Sequence, residues 1–237
     1  MILKQPINKS VVLEQSTSNI PLPEYTVIKN SGYRYIYNFI KRFFDIVLSV
    51  LALVVLAVPM LIVVLFIKAE DGGKAIYKSE RIGKNGRPFN MYKFRTMEKG
   101  NKQLQEVLTK EELEEYSKEF KLKNDPRLTK VGKLLRKTSM DELPQLFNIL
   151  KSDMSIVGPR PVLDEETQLY GDYRDYLLSA KPGMTGYWQA YARNNVGYSN
   201  GKRQQMELHY VTNRSLWFDI KIIFATVARV FSGKGAF

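Results

Sequence analysis

The sequence predicts an α+β protein in which a membrane-embedded helix precedes a small, helix-rich cytoplasmic domain with a short β-hairpin and interfacial helices. Three observations carry that expectation. Ile46 to Ile67 are 22 consecutive residues without a charge. Asn85-Gly86 stands between two extended, aromatic-bearing runs. Leu143, Leu146, Phe147 and Leu150 recur at i, i+3, i+4, i+7, the spacing of one helix face.

As a helix the apolar run extends about 33 Å at about 1.5 Å per residue, against a hydrocarbon core of about 30 Å. It is apolar on every face, unlike an amphipathic surface helix. It starts too far into the chain for a cleavable signal peptide of normal form. Its flanks conflict with a straight span. Lys41 and Arg42 precede it, and Lys74 to Lys102 holds nine Lys/Arg against two acids, so both flanks read as cytoplasmic. Pro59 in the middle removes a backbone donor and can bend the helix. A helix entering and leaving on one face reconciles these signals. A kinked full span with residues 1–40 outside is the other reading. The expected organisation is a loose segment over 1–40, a membrane helix with a proline bend over 41–68, and a cytoplasmic domain over 69–237. Tyr33, Tyr35 and Tyr37 suit a headgroup-level belt, and equally an ordinary surface.

The totals narrow the chemistry. The 36 Lys+Arg against 24 Asp+Glu leave +12, which favours a polyanionic partner: nucleic acid, an anionic membrane or a phosphorylated substrate. The absence of cysteine excludes disulfides and thiolate chemistry. With His209 the one histidine, a His-based zinc site is disfavoured, and a Ser-His-Asp triad would have to use that residue.

After Lys68 the chain reads as a basic soluble domain. Asn85-Gly86 predicts a hairpin, because both turn positions favour positive φ. Residues 104–122 predict a helix carrying six acids, mostly a solvated face. Asp125-Pro126 marks a turn before a short basic helix, and Asp125 and Arg127 are weak site candidates. "LWFDIKIIFATVARVF" (216–231) predicts either an interfacial helix with Trp217 at headgroup depth or a core helix.

Asp141 and Glu142 fall at or just before the start of the helix containing the Leu143–Leu150 face, with Pro144 in its first turn. Acids there favour the first-turn N–H groups by about 0.3–1 kcal/mol, so capping alone can explain them. Their surroundings point further. Arg136 and Lys137 precede the pair, and "VGPRP" holds Arg160 between two φ-restricting prolines, a setting suited to a bidentate grip on phosphate. "KPGMTGYWQAYARNN" (181–195) reads as a Gly-rich loop able to stack a base and hydrogen-bond a sugar, or as a plain connector.

Together, "KRFFDIVLSVLALVVLAVPM", "YKFRTM", "NDPRLTKVGKLLRKTSMDELPQLFNIL", "DMSIVGPRPVL", "KPGMTGYWQAYARNN" and "SLWFDIKIIF", in that order, resemble the bacterial polyprenyl-phosphate sugar-1-phosphate transferases, the monotopic phosphoglycosyl transferases. The similarity covers about Lys41 to Arg229. It implies transfer of a sugar-1-phosphate from a UDP-sugar to a polyprenyl (undecaprenyl) phosphate at the cytoplasmic face of the bacterial inner membrane, which initiates exopolysaccharide, capsule, O-antigen or glycan synthesis. It also implies a re-entrant helix, Mg²⁺, and a covalent intermediate on the aspartate of the Asp-Glu pair. The family commonly has Ser-Pro at the bend, where this chain has Val58-Pro59.

On that expectation Asp141 is the nucleophile, kept ionised by the helix start and Arg136, and Glu142 joins it in holding the metal. Arg136, Arg160, Lys93 and Arg95 hold phosphates. Thr185, Gly186, Trp188, Gln189, Arg193 and Asn194 form the nucleotide-sugar loop. Anionic lipids attract the basic faces, no nucleic acid is required, and the oligomeric state, a homo-oligomer included, stays open. Three alternatives remain at this level: a membrane-tethered polyanion or nucleic-acid binder without catalysis, a membrane scaffold, and a glycosyltransferase that releases UDP.

Overall fold

The computed structural model describes residues 32–98, 108–109, 113, 122, 125–193, 196–198 and 201–232. Helix α1 spans Gly32–Asp71, 40 residues with Pro59 inside it. It begins well before the expected boundary at Lys41, for a tertiary reason. Tyr37 is buried, and its hydroxyl donates to Asp219 (2.9 Å), so the first turns are docked instead of loose. Tyr35, by contrast, is exposed.

One stripe of α1 touches the rest of the protein along its whole length. Tyr37, Asp45, Ser49, Val63 and Ile67 are buried, and Ala52, Leu53, Leu56 and Met60 pack into neighbouring core clusters. Near its start, Arg42 donates to the carbonyls of Ile149 (2.6 Å) and Leu150 (2.9 Å), and Asp45 accepts from the Ile156 N–H (2.9 Å). At its end, Glu70 accepts from the Lys130 N–H (2.8 Å) and Asp71 pairs with Arg95. The opposite face, including Phe39, Phe43, Val54, Val55, Val58, Leu61 and Phe66, is apolar and exposed. By length and composition α1 is able to cross a membrane.

The hairpin forms as expected. β1 (Ile76–Ile82) pairs antiparallel with β2 (Pro88–Phe94), from Ile76 opposite Phe94 to Ile82 opposite Pro88. Asn85 (φ 58°) and Gly86 (φ 76°) take the left-handed turn conformations. The acidic helix expected over 104–122 lies largely outside the described residues. α2 (Lys130–Thr138) is the expected basic helix; Thr129 caps it, accepting from the Gly132 N–H (2.9 Å).

α3 (Gln145–Leu150) departs from the expected Leu143–Leu150 stripe. Leu146 is buried, but so are Gln145, Asn148 and Ile149, while Phe147 is 47 % exposed. The helix is short and wedged between α1 and β2, so two of its sides are covered. Its polar side is used: Asn148 accepts from the Tyr92 N–H (2.9 Å) and donates to the Asn90 carbonyl (2.8 Å), pinning α3 to the hairpin.

The segment read as a loop over 181–195 contains regular structure. β4 (Gly183–Thr185) pairs in parallel with β3 (Ser155–Val157), following the short helices α4 (Asp164–Thr167) and α5 (Arg174–Leu178), and α6 (Tyr187–Tyr191) comes next. Glycine makes this packing available. A Cβ on Gly183 would lie 2.1 Å from the Gly158 nitrogen, and one on Gly186 would lie 2.1 Å from the Gly158 oxygen. α7 (Lys202–Asn213) and α8 (Leu216–Phe231) close the fold over a core that includes Tyr170, Leu177, Leu208, Tyr210 and Ile222. In α8 Ile222 is buried in the core, while Trp217, Phe224 and Val230 are exposed apolar residues.

Candidate active site

Asp141 and Glu142 occupy a tight 3-10 turn (Met140–Glu142) between α2 and α3. The chain reverses at Ser139, whose φ of 57° is left-handed, and Pro144 (φ −62°) leads into α3. Among the described residues neither Ser139 nor Pro144, which precede the two helical turns, caps them with a side-chain hydrogen bond, and both acids lie in the first turn. Both are buried, at 7 % and 9 % exposure, where an unpaired carboxylate is costly.

Cations from four segments compensate. Lys93 of β2 places its ammonium 3.0 Å from Glu142 Oε1 and 3.8 Å from Asp141 Oδ2. Arg193, just past α6, lies 3.6 Å from Glu142 Oε1. Arg136 of α2 acts on Asp141, and Arg160 of the "GPRP" turn acts on Glu142. The arrangement separates the two acids. Burial alone would raise Glu142, but Lys93, Arg193 and Arg160 outweigh it and hold the group at about 2. Asp141 is pushed up, by burial first and also by the adjacent Glu142 charge, against the pull of Lys93 and Arg136. That differs from the expectation that Arg136 keeps it readily ionised, because burial was not visible in the sequence.

Lys93, Glu142, Arg160 and Gln189 line a narrow cleft, together with Gln145 and Met184. Gln189 holds a buried Oε1 without a partner among the described residues, a free acceptor beside the cleft. Gln145 escaped sequence reasoning, although it lies one helical turn beyond Glu142 and so on its side.

Other expected residues are engaged elsewhere. Both oxygens of Asp71 hold the Arg95 guanidinium, which covers Gly73 and ties β2 to the end of α1. Thr185 shares a 2.7 Å hydrogen bond with Thr226 of α8. Trp188 is buried under the guanidinium of Arg203 (4.3 Å), with Arg160 5.8 Å from its ring, and its indole N–H donates to the Val196 carbonyl (2.8 Å). The Arg203 guanidinium thus occupies ring surface that a stacked base would need. Gly186 serves the crossing with Gly158. Asn194 lies outside the described residues. Pro59 sits within the continuous α1, with Val58 exposed beside it. Asp125 is buried and grips Arg127 through Nε (2.8 Å) and a terminal nitrogen (2.6 Å), near Arg136.

A second layer sits behind Arg160. Its backbone N–H donates to Glu207 (3.2 Å), and Arg203 faces Tyr198 (3.8 Å to the ring) and Glu166 (3.8 Å). Burial raises Glu207 to about 7 despite the nearby Arg203. Sequence offered little sign of this layer, since its acids lie at ordinary helix positions.

A family model described as "Bacterial sugar transferase" matches residues 36–233. The chain belongs to that family. The matched region holds the docked start of α1, both hairpin strands, the acid pair and the "GPRP" turn. Among curated relatives of the family, an undecaprenyl-phosphate galactose phosphotransferase of Salmonella typhimurium is 48 % identical over 203 residues, covering 84 % of this chain and 42 % of the relative. An uncharacterized sugar transferase of Haemophilus influenzae is also 48 % identical, over 201 residues, with the same coverage of both chains. The exopolysaccharide production protein ExoY of Rhizobium meliloti is 39 % identical over 228 residues, covering 95 % of this chain and 100 % of its own length. The chain thus spans about two-fifths of the first two relatives (42 %) and the full length of the third.

Proposed function

We propose that this sugar transferase moves a sugar-1-phosphate from a UDP-sugar to a polyprenyl phosphate. The observation that carries the reading is the buried Asp141–Glu142 pair under Lys93, Arg136, Arg160 and Arg193. Names among the relatives, which include a phosphotransferase acting with undecaprenyl phosphate, support it.

An Asp141 oxygen attacks the sugar-bearing phosphorus, a P–O bond to the second phosphate breaks, and UMP leaves with that bond's electron pair. A polyprenyl phosphate oxygen then attacks the phosphoaspartyl-sugar and frees the carboxylate. The acceptor emerges as a polyprenyl diphosphate sugar. Such transfers need mainly positioning and charge neutralisation. Arg160 and Arg193 neutralise phosphate oxygens, Lys93 steadies the acid pair, and Gln145 and Gln189 offer amides to neutral donor groups. The raised Asp141 is the more basic of the two acids, as a nucleophile should be.

The donor set fits magnesium. Glu142 lines the cleft with Asp141 adjacent to it in the chain, no larger acidic or histidine cluster exists among the described residues, and Mg²⁺ commonly takes one or two carboxylates plus phosphate oxygens. Glu142, with Asp141, would hold it, and bound there it would offset charge on the diphosphate.

A lipid acceptor requires a site at the bilayer surface. Both ends of α1 dock on one body while its outer face is apolar, which supports a helix that enters and leaves by the cytoplasmic face, with the exposed face of α8 lying at the interface.

The test is intact mass and nucleotide analysis of detergent-purified protein with Mg²⁺ and a panel of UDP-sugars, without acceptor. A sugar-phosphate adduct with UMP release, both lost in Asp141→Asn, is expected. Release of UDP would point to ordinary glycosyl transfer and refute the mechanism.

A further inference from the structure

A cavity of about 210 Å3 lies apart from the acid-pair cleft. It lies against the start of α1 and is lined by Ser155 and Val157 of β3, whereas the cleft is lined by Gly183 and Met184 of β4 and by Arg160. Its walls are basic: Lys41, Arg42, Lys84, Lys181 and Arg214, against Asp45 as the one lining acid. Asp45 is already engaged by the Ile156 N–H, and Lys41 is paired with Asp219 (2.6 Å).

The other four cations have no carboxylate within ion-pair distance among the described residues. Arg42 donates to two backbone carbonyls and Lys181 to the Ser152 hydroxyl (2.5 Å), bonds that hold each group in place without cancelling its charge. Burial and then repulsion from Arg42 push Lys181 below the usual lysine range. Two polar atoms of lining residues, Ser155 Oγ and Arg214 Nε, are buried without partners among the described residues. Buried polar atoms are nearly always satisfied, so the cavity is built for something with several acceptor oxygens and negative charge. Phe39 and Phe43, on the far side of this part of α1, are exposed apolar rings. A membrane that received them would bring its headgroups level with the cavity mouth.

We propose that this cavity binds the phosphodiester headgroup of an anionic phospholipid, held by Arg42, Lys181 and Arg214 with Lys84 at the rim. It is a lipid site separate from the acid pair, and it rests on the membrane-surface reading given above. The same phosphate chemistry could reach the cavity from a soluble ion or from the polyprenyl phosphate, and the test separates these.

The full chain in neutral detergent is titrated with phosphatidylglycerol, phosphatidylcholine, inorganic phosphate or a short-chain polyprenyl phosphate, and the thermal midpoint is followed. Phosphatidylglycerol at ten times its dissociation constant should raise the midpoint by about 3–5 °C, and phosphatidylcholine and inorganic phosphate by less than about 1 °C. In Lys84→Gln/Lys181→Gln the phosphatidylglycerol shift should vanish, whereas a shift with polyprenyl phosphate, bound as acceptor at the acid pair, should persist. Should that variant prove unstable, Lys84→Gln alone, at an exposed position, should reduce the shift. An equal phosphatidylglycerol shift in the variants, an equal shift with inorganic phosphate, or a shift with polyprenyl phosphate alone would overturn the proposal. UMP release is measured on the same samples. Its loss with the lipid shift intact would sink the transfer reading only, and the converse would sink this one.

Discussion

Replacing Asp219 by alanine should detach the start of α1 from the body of the protein. Its buried carboxylate accepts from Tyr37 (2.9 Å), Tyr210 (2.8 Å) and Lys41 (2.6 Å), one acid serving three donors on two other helices. Each neutral hydrogen bond contributes about 1 kcal/mol net, and the charged one up to about 2 kcal/mol. Lys41 is partly exposed and can turn to water, which discounts its share. The Tyr37 hydroxyl cannot, and left unsatisfied costs about 1 kcal/mol more, whereas Tyr210 keeps the Val157 carbonyl as acceptor (3.2 Å). The total is about 3 kcal/mol, and at about 2–4 °C per kcal/mol for a chain of this size the midpoint should fall by about 6–12 °C. Thermal unfolding in detergent, followed by circular dichroism, measures it. A double-mutant cycle isolates the pair: Tyr37→Phe should cost about 1 kcal/mol in the native background and almost nothing beside Asp219→Ala. A midpoint drop under about 2 °C, or additive costs in the cycle, would show that Asp219 does not dock the helix.

Arg95→Ala should lower the unfolding midpoint while leaving the donor KM within about twofold, whereas Lys93→Ala should cut adduct formation by more than about tenfold; steady-state kinetics beside a melting curve separates the two. The rate of adduct formation should fall on acidification with a midpoint above the ordinary aspartate value of about 4, because Asp141 is raised and reacts ionised; a pH–rate profile reads this directly. Glu142 is depressed in the fold, so its stabilising contribution is full above its unfolded value and fades as pH drops from there through about 2. Glu142→Gln should therefore flatten the acid limb of a stability-versus-pH curve below about pH 4.5. Gly183→Ala should fail to fold or lose more than about 3 kcal/mol, as its methyl would sit 2.1 Å from the Gly158 nitrogen; denaturant titration tests it.

What the sequence made legible were features encoded locally. Asn85-Gly86 specifies its turn through two positive-φ residues, and the uncharged run of α1 declares itself by composition. Asp141, Glu142, Arg160 and Lys93 were found because charge types and prolines stood in a recognisable order. Misreadings came where a distant partner decides a residue's role. Arg95 looked as free as Lys93 until Asp71 claimed it. Trp188 looked like a stacking platform, but Arg203, on a helix well downstream, covers it. The stripe on α3 failed at Phe147 because a short helix clamped on two sides buries its amides, an arrangement set by α1 and β2. The opposed shifts of Asp141 and Glu142 depend on burial, which no spacing reveals.

The glycine crossing sets a gauge for the cleft. Where Gly158 meets Gly183 and Gly186, main chain rests on main chain with no side chain between. The separation of the turn bearing Arg160 from the helix bearing Gln189 is therefore a property of the backbone alone. Residues around the rim can change which groups are admitted without altering the distance between the walls. A single methyl at any of the three glycines would change the instrument instead of its setting.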